Sequence, residues 1–272
     1  MLNGTDFDYL CTLIRQRSGI VLDTEKDYLV ESRLLPVARN EGLASLPELV
    51  TRLRMQSAKE LQRKVVEALT TNETSFYRDL HPFEALKTHL LPELQRQLAA
   101  GQKLHIWCAA CSSGQEPYSI AILIREHFPA LASKVKIVAT DLSTDILNRA
   151  KKGAYNQFEV NRGLPAMLLM KYFERQGLEW QVKPDIRNMV EFRLLNLLEH
   201  WSVLPAVDII FLRNVLIYFD VETKKALLGK VRRQLRPGGY LFLGAAETVI
   251  NLDNAFKTVS IDKARCYRLA DC

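Results

Sequence analysis

No apolar run in this chain of 272 residues reaches the ~18–20 needed to cross a bilayer. A membrane-inserted protein is therefore not expected. The opening stretch, MLNGTDFDYL, carries acids where a secretory leader carries Lys or Arg, so the expected location is the cytoplasm. Cysteine is scarce and odd in number, five in all, which argues against a disulfide framework. The histidines His81, His89, His105, His127 and His200 are scattered without metal-ligand spacing, so no metal is expected. There is no internal repeat and no low-complexity tract. The basic residues form no single block, and aromatic residues are not interleaved among them, which disfavours nucleic acid as a partner.

What is present is an ordinary globular composition, 48% apolar and 25% charged. The net charge of +6 and a pI near 9.0 suit an acidic partner. Residues 1–75 are nearly neutral, with ten Lys and Arg against eleven Asp and Glu. Here the apolar residues recur at helical spacing, as with Phe7, Leu10, Leu13 and Ile14. A helical N-terminal domain over 1–75 is expected. A helical connector, broken by Pro82 and Pro92, is expected over 76–100. From residue 101 to 272 short apolar runs alternate with helical stretches, the pattern of a parallel sheet flanked by helices. The end departs from it: FKTVSI, a short turn and RCYRLA read as an antiparallel hairpin. Between about 155 and 190 the alternation pauses, and an inserted helix with small strands is expected.

The informative stretch is HIWCAACSSGQEPYSIAILI, residues 105–124. It reads as strand, small-residue loop and helix start, the place where an open α/β sheet binds its ligand. A dinucleotide site would carry a glycine fingerprint there, and this loop has one glycine. Its small residues let a ligand approach the backbone. Glu116 at the loop's lip would repel a pyrophosphate, so a nicotinamide dinucleotide is disfavoured. A carboxylate suits a cationic nucleoside without phosphate, and S-adenosylmethionine is such a molecule. Asp141, ending the second strand about 25 residues on, is placed to accept both ribose hydroxyls; the alternative is a helix N-cap. Cys108 and Cys111 have the C-x-x-C spacing of a redox pair, but the loop is too long to put the first thiol on a helix N-terminus. Buried, inert thiols are expected. LRPGGYLFLGA (235–245) reads as a helix end, a Pro-Gly-Gly turn and a buried strand.

Taken together, TNETSFYRD (71–79), WCAACSSGQEPYSIAI (107–122), ATDLS (139–143), LLNLL (194–198) and FLRNVLIYFD (211–220) resemble the CheR family, the chemoreceptor glutamate methyltransferases. The resemblance covers nearly the whole chain. It implies a class I S-adenosylmethionine-dependent methyltransferase fold: a doubly wound sheet with an antiparallel C-terminal hairpin, an all-α N-terminal domain and a small inserted β-subdomain. It implies that Asn72, Thr74 and Arg78 contact the methionine end of the cofactor, with Arg78 pairing its carboxylate. Glu116 and Asp141 would take the ammonium side and the ribose. Asn196 and Leu197 would frame the adenine, and Arg213 with Asn214 would line the pocket.

The implied reaction forms a glutamate methyl ester on the helical cytoplasmic region of a receptor and leaves S-adenosylhomocysteine. A glutamate has a reference pKa of ~4.3, so the acceptor is ionised at neutral pH and needs no general base. Tyr218 is a candidate positioning group. Arg52, Lys59 and Arg63, at helical spacing, are candidates for steering the acidic receptor. One departure stands out: YFERQGLEWQV (172–182) is short where relatives bind a receptor's C-terminal pentapeptide, so no pentapeptide tether is expected. A nucleic-acid methyltransferase is the first rival, but Arg213-Asn214-Val215-Leu216 lacks the paired prolines common there. A catalytically silent cofactor-binding scaffold is the second.

Overall fold

Four helices account for most of residues 1–71 in the computed structural model, which describes residues 2–22, 27–55, 57–99, 101–201 and 204–270. They are α1 (Gly4–Ser18), α2 (Asp27–Asn40), α3 (Leu46–Leu53) and α4 (Lys59–Leu69). The ends are set by local chemistry. The Asn3 side chain accepts the Asp6 N–H at the start of α1, and Gly19, at φ +78°, ends it. Ser45 caps α3 by accepting the Glu48 N–H at 3.3 Å. The apolar faces meet through buried Leu10, Ile14, Leu34, Leu49, Leu53 and Val65. By its contacts this unit comprises Met1–Thr71 and Tyr218–Thr223; the second comprises Asn72–Ile217 and Lys224–Cys272. In the first, Arg15 pairs with Asp220 at 2.6 Å, and the Val21 N–H donates to the Tyr218 carbonyl.

The charged trio of this unit does not share one helix. Arg52 lies on α3, Lys59 and Arg63 on α4, and the chain turns between them, so a spacing counted through residues 54–58 has no meaning. Arg63 is also held by Glu60 and Glu67 on its own helix, which cancels most of its field.

The second unit opens differently from the expected connector. Residues 76–80 are turns, with Tyr77, Asp79 and Leu80 at positive φ, and helix begins only at α5 (His81–Ala85). Pro92 does not break the helical path beyond it. The chain passes from α5 through a π turn (Leu86–Leu90) into α6 (Leu91–Gln97), and the Leu91 N–H reaches back five residues to Leu86. The wider turn accommodates a ring that would otherwise clash one turn back.

Then comes a seven-stranded sheet in the order β6-β2-β1-β7-β8-β10-β9. Its strands are β1 (Leu104–Ala109), β2 (Val135–Asp141), β6 (Val190–Leu194), β7 (Val207–Leu212), β8 (Leu235–Leu243), β9 (Phe256–Ile261) and β10 (Ala264–Leu269). The first five in the order are parallel; β10 runs antiparallel to both β8 and β9. The central strands β1 and β7 are buried almost throughout, which is why they read as apolar runs rather than alternations. Helices α7 (Gln115–His127), α8 (Pro129–Ala132), α9 (Thr144–Lys152), α12 (Pro184–Arg187) and α13 (Val221–Gln234) connect strands of the sheet. The Pro237-Gly238-Gly239 turn is enclosed within β8, because Leu235 already pairs with Val207 and the register shifts before Tyr240 pairs with Ile209. The insertion is a three-stranded antiparallel sheet, β3 (Ala154–Asn156), β4 (Phe173–Gln176) and β5 (Glu179–Val182), with α10 (Gln157–Asn161) and α11 (Ala166–Tyr172). The β4–β5 hairpin turns on two residues, Gly177 and Leu178.

Candidate functional site

Strand order reverses at β1, between β2 on one side and β7 on the other, and the candidate residues gather at the carboxyl ends there. Register fixes the level: Ala109 lies opposite Thr140, and Asp141 opposite Leu194. The loop after β1 turns sharply, with Ala110, Ser112 and Gly114 all at positive φ. Gly114 is required twice over, by φ +92° and because a Cβ would lie 3.1–3.3 Å from Ala150, Tyr155 and Tyr118. The Tyr155 hydroxyl donates to the Ser113 carbonyl and fixes the loop from the insertion.

Asp141 is buried and organises this loop. One carboxylate oxygen accepts the Ser112 N–H at 2.8 Å and the other the Ser143 N–H at 3.1 Å. Ser143, not Asp141, caps α9, which removes the N-cap alternative. The Ser112 N–H is the kind of donor that would face a phosphate in a dinucleotide loop, and here it is spent on a carboxylate. The Ser112 hydroxyl donates to the Asn72 carbonyl, and the Tyr77 N–H donates to Ser119 of α7. The segment that carries Asn72, Thr74 and Arg78 is thereby tied to the loop. The Arg78 guanidinium rests on the Glu73 carbonyl, and Thr74 is half-buried. Gly163 completes the seat: at φ +90° its Cα faces the Phe76 carbonyl so closely that a Cβ would stand 2.1 Å away.

Glu116 is not a lone acid. Its carboxylate accepts from Arg213 at 2.8 Å, and the Arg213 side chain, only 2% exposed, also donates to Asp79 at 2.6 Å and to the Arg78 carbonyl. Burial pushes the Glu116 carboxyl above its ordinary range, against the opposing pull of Arg213. Its place in the first turn of α7 favours the ionised form. Asn196 folds the loop after β6 by accepting the Leu198 N–H at 3.0 Å, and Leu197 is buried beside it. Asn214 adopts φ +58° at the tip of β7. Tyr218 ends a short 3₁₀ turn (Leu216–Tyr218) and groups by its contacts with the helical unit.

Several participants escaped the sequence reading. Asp79 shares Arg213 with Glu116. Ser119 and Tyr155 pin the flanking segments. Lys230 donates to the Leu197 and Glu199 carbonyls at 3.2 and 3.0 Å and so fixes the Asn196–Leu197 loop. Glu247, 3% exposed, accepts backbone N–H groups beyond β7 and β8. Glu247 follows the apolar strand β8 across Gly244, Ala245 and Ala246, a looser form of the signal that marked Asp141. Burial pushes the Cys108 and Cys111 thiols well above their ordinary range, so neither is a thiolate at neutral pH.

The donor set fits a cationic nucleoside better than a dinucleotide. Three carboxylates (Asp79, Glu116, Asp141) stand against two guanidiniums (Arg78, Arg213), and the loop amide at Ser112 already has its anion. A parallel sheet with an antiparallel C-terminal hairpin and an acid closing the second strand defines a class I S-adenosylmethionine-dependent methyltransferase. Residues 72–265 match the family model of the CheR methyltransferase SAM-binding domain, and residues 5–70 that of its all-alpha domain. The chain belongs to the CheR methyltransferase family. It is 46% identical over 270 residues to Chemotaxis protein methyltransferase 1 of Pseudomonas aeruginosa, covering 97% of this chain and 98% of that one. It is 44% identical to Chemotaxis protein methyltransferase Cher2 of Pseudomonas putida, with 97% of each chain covered. With Chemotaxis protein methyltransferase 1 of Vibrio cholerae it shares 39% identity over 98% of each chain. No described helix is long and apolar enough to cross a membrane.

Proposed function

We propose that the chain transfers the methyl group of S-adenosylmethionine to glutamate side chains in the helical cytoplasmic region of chemoreceptors, forming γ-methyl esters. The observation that carries this reading is the charge and chemistry of the site. Carboxylates and guanidiniums build it, and burial keeps its two cysteines as protonated thiols. An ionised glutamate needs no general base, so such an acceptor asks these residues only to bind and orient. The names of the relatives, all chemotaxis methyltransferases, point the same way.

S-adenosylmethionine supplies a methyl group already activated on a sulfonium. The chain's own residues bind and aim it. Asn72, Thr74 and Arg78 hold the methionine end, with Arg78 leaving the Glu73 carbonyl to pair with the carboxylate. Glu116, braced by Arg213, faces the ammonium. Asp141 accepts from the ribose, and Asn196 and Leu197 frame the adenine. Arg213 and Asn214 close the wall nearest the acceptor. Near-attack placement is worth ~7–11 kcal/mol in such reactions. Of the basic residues on the helical unit, Arg52 and Lys59 are better placed than Arg63 to steer an acidic receptor, because Arg63 is neutralised by two glutamates. The two-residue turn of the β4–β5 hairpin supports a receptor interaction without a C-terminal pentapeptide.

The test is incubation with methyl-labelled S-adenosylmethionine and purified receptors. Label released by mild base marks a carboxyl ester and is the expected result. Base-stable label, or label in nucleic acid alone, would contradict the reading. Receptors with and without the terminal pentapeptide are expected to be labelled at equal rates, and a strong preference for the tag would refute tether independence.

The raised Glu116 pKa gives a pH signature. The ammonium of the cofactor is bound by the ionised form, so binding below the Glu116 pKa must first expel a proton. Affinity is expected to weaken about tenfold per pH unit on the acid side of that pKa. The break should fall above the range of an ordinary glutamate, and Glu116→Gln should weaken binding and remove the break. Titration calorimetry across pH with S-adenosylhomocysteine reads both.

A further inference from the structure

Four backbone N–H groups converge on one buried side chain at the tips of β7 and β8. One Glu247 oxygen accepts from Gly244 at 2.6 Å and Asn214 at 2.8 Å; the other accepts from Val215 at 2.8 Å and Ile217 at 3.3 Å. Among the described residues, main-chain donors alone meet the charge. The nearby Arg265 guanidinium donates to the Ala245 and Glu247 carbonyls rather than to the carboxylate. Gly244 is part of the same lock, since a Cβ there would lie 2.7 Å from the Glu247 oxygen and 2.9 Å from the Asn214 nitrogen.

We propose that Glu247 is a positioning residue whose carboxylate acts as a resident anion, filling a nest of backbone N–H groups and thereby fixing the strand end that carries Arg213 and Asn214. Converging N–H groups at an element's end form an anion-binding concavity. Left empty beside the transfer site, this one would compete for the acceptor. The inference thus rests on the proposal that the acceptor is itself a carboxylate. Hydrogen bonds from the nest would hold such an acceptor away from the methyl group and blunt its nucleophilicity. A carboxylate built into the chain occupies the nest permanently. It also holds Asn214 at φ +58°, a left-handed conformation that Asn tolerates better than most side chains.

The experiment uses the full chain. Glu247→Ala is expected to lower kcat for receptor methylation about 10²-fold, the size of effect that a misplaced reacting group produces. Formate, which refills the nest, should restore most of the loss, whereas neutral formamide should not. Formate should also raise the melting temperature of Glu247→Ala and leave that of the wild type unchanged, a readout that needs no receptor. Glu247→Gln fills the nest with an amide whose NH₂ faces other donors, and formate should not rescue it. If Glu247→Ala does not fold, Gly244→Ala tests the same lock by pushing the carboxylate off the nest, and should lower kcat comparably. In the wild type, the Gly244, Asn214 and Val215 amides should exchange slowly with solvent. An unchanged kcat in a folded Glu247→Ala, a loss indifferent to formate, or rapid exchange of those three amides overturns the inference. If the wild type labels no receptor, the acceptor assignment fails instead, and the formate shift and amide exchange still decide the role of Glu247.

Discussion

Replacing Arg213 with methionine is expected to destabilise the protein by about 3–5 kcal/mol and to abolish methyl transfer. The stability loss comes from what stays behind. Arg213 is 2% exposed and Glu116 12%, so the substitution leaves a buried carboxylate without its countercharge. Asp79 contributes little, because at 41% exposure water screens it. The Arg78 carbonyl also loses its donor, which frees the turn that carries Arg78. Urea denaturation at neutral pH reads the loss as a lowered midpoint at unchanged slope. The sign with pH is specific. Without Arg213 the Glu116 pKa rises further above its unfolded value, so the penalty is full above the folded pKa and is relieved as pH falls through it. A variant destabilised equally at every pH would show that Glu116 is not the group left exposed to the change. Arg213→Lys keeps a charge but not the fork that reaches Glu116 and Asp79 together, and should lie between wild type and methionine.

Asp141→Ala is expected to weaken binding of S-adenosylhomocysteine by at least about 10²-fold. Two charge-assisted hydrogen bonds to a ribose diol are worth about 1.5 kcal/mol or more each. The same carboxylate holds the Ser112 and Ser143 amides, so its removal also loosens the loop that shapes the pocket. Asn at 141 keeps one acceptor but turns an NH₂ toward an N–H, and should recover only part of the loss. Calorimetry gives the affinity, and kcat at saturating cofactor separates binding from chemistry. An affinity within a few-fold of wild type would remove Asp141 from the cofactor site.

The sheet was legible because β1, β2 and β7 are buried over most of their length and so read as apolar runs between helical stretches, interrupted near their starts by His105, Lys136 and Asp208. Asp141 was legible because an acid directly after such a run has few reasons to be there. The pairing of Glu116 was not, since Arg213 comes from 97 residues further along the chain and Asp79 from 37 residues before Glu116. Local patterns carry no such distances. Pro92 misled for a physical reason: one π turn relieves a clash that otherwise ends a helix. The Arg52, Lys59 and Arg63 spacing misled because helical counting was carried across a turn. Glu247 went unnoticed because three small residues separate it from its strand and its partners include backbone amides about 30 residues away in the chain.

The measurement that bears most directly on the site is a paired calorimetric titration of the wild-type chain with S-adenosylhomocysteine and with NAD. The acids in the first turn of α7 and at the end of β2, and a loop amide already committed to a carboxylate, call for saturable binding of the former and none of the latter. Tight binding of NAD with no heat from S-adenosylhomocysteine would contradict the account at its root.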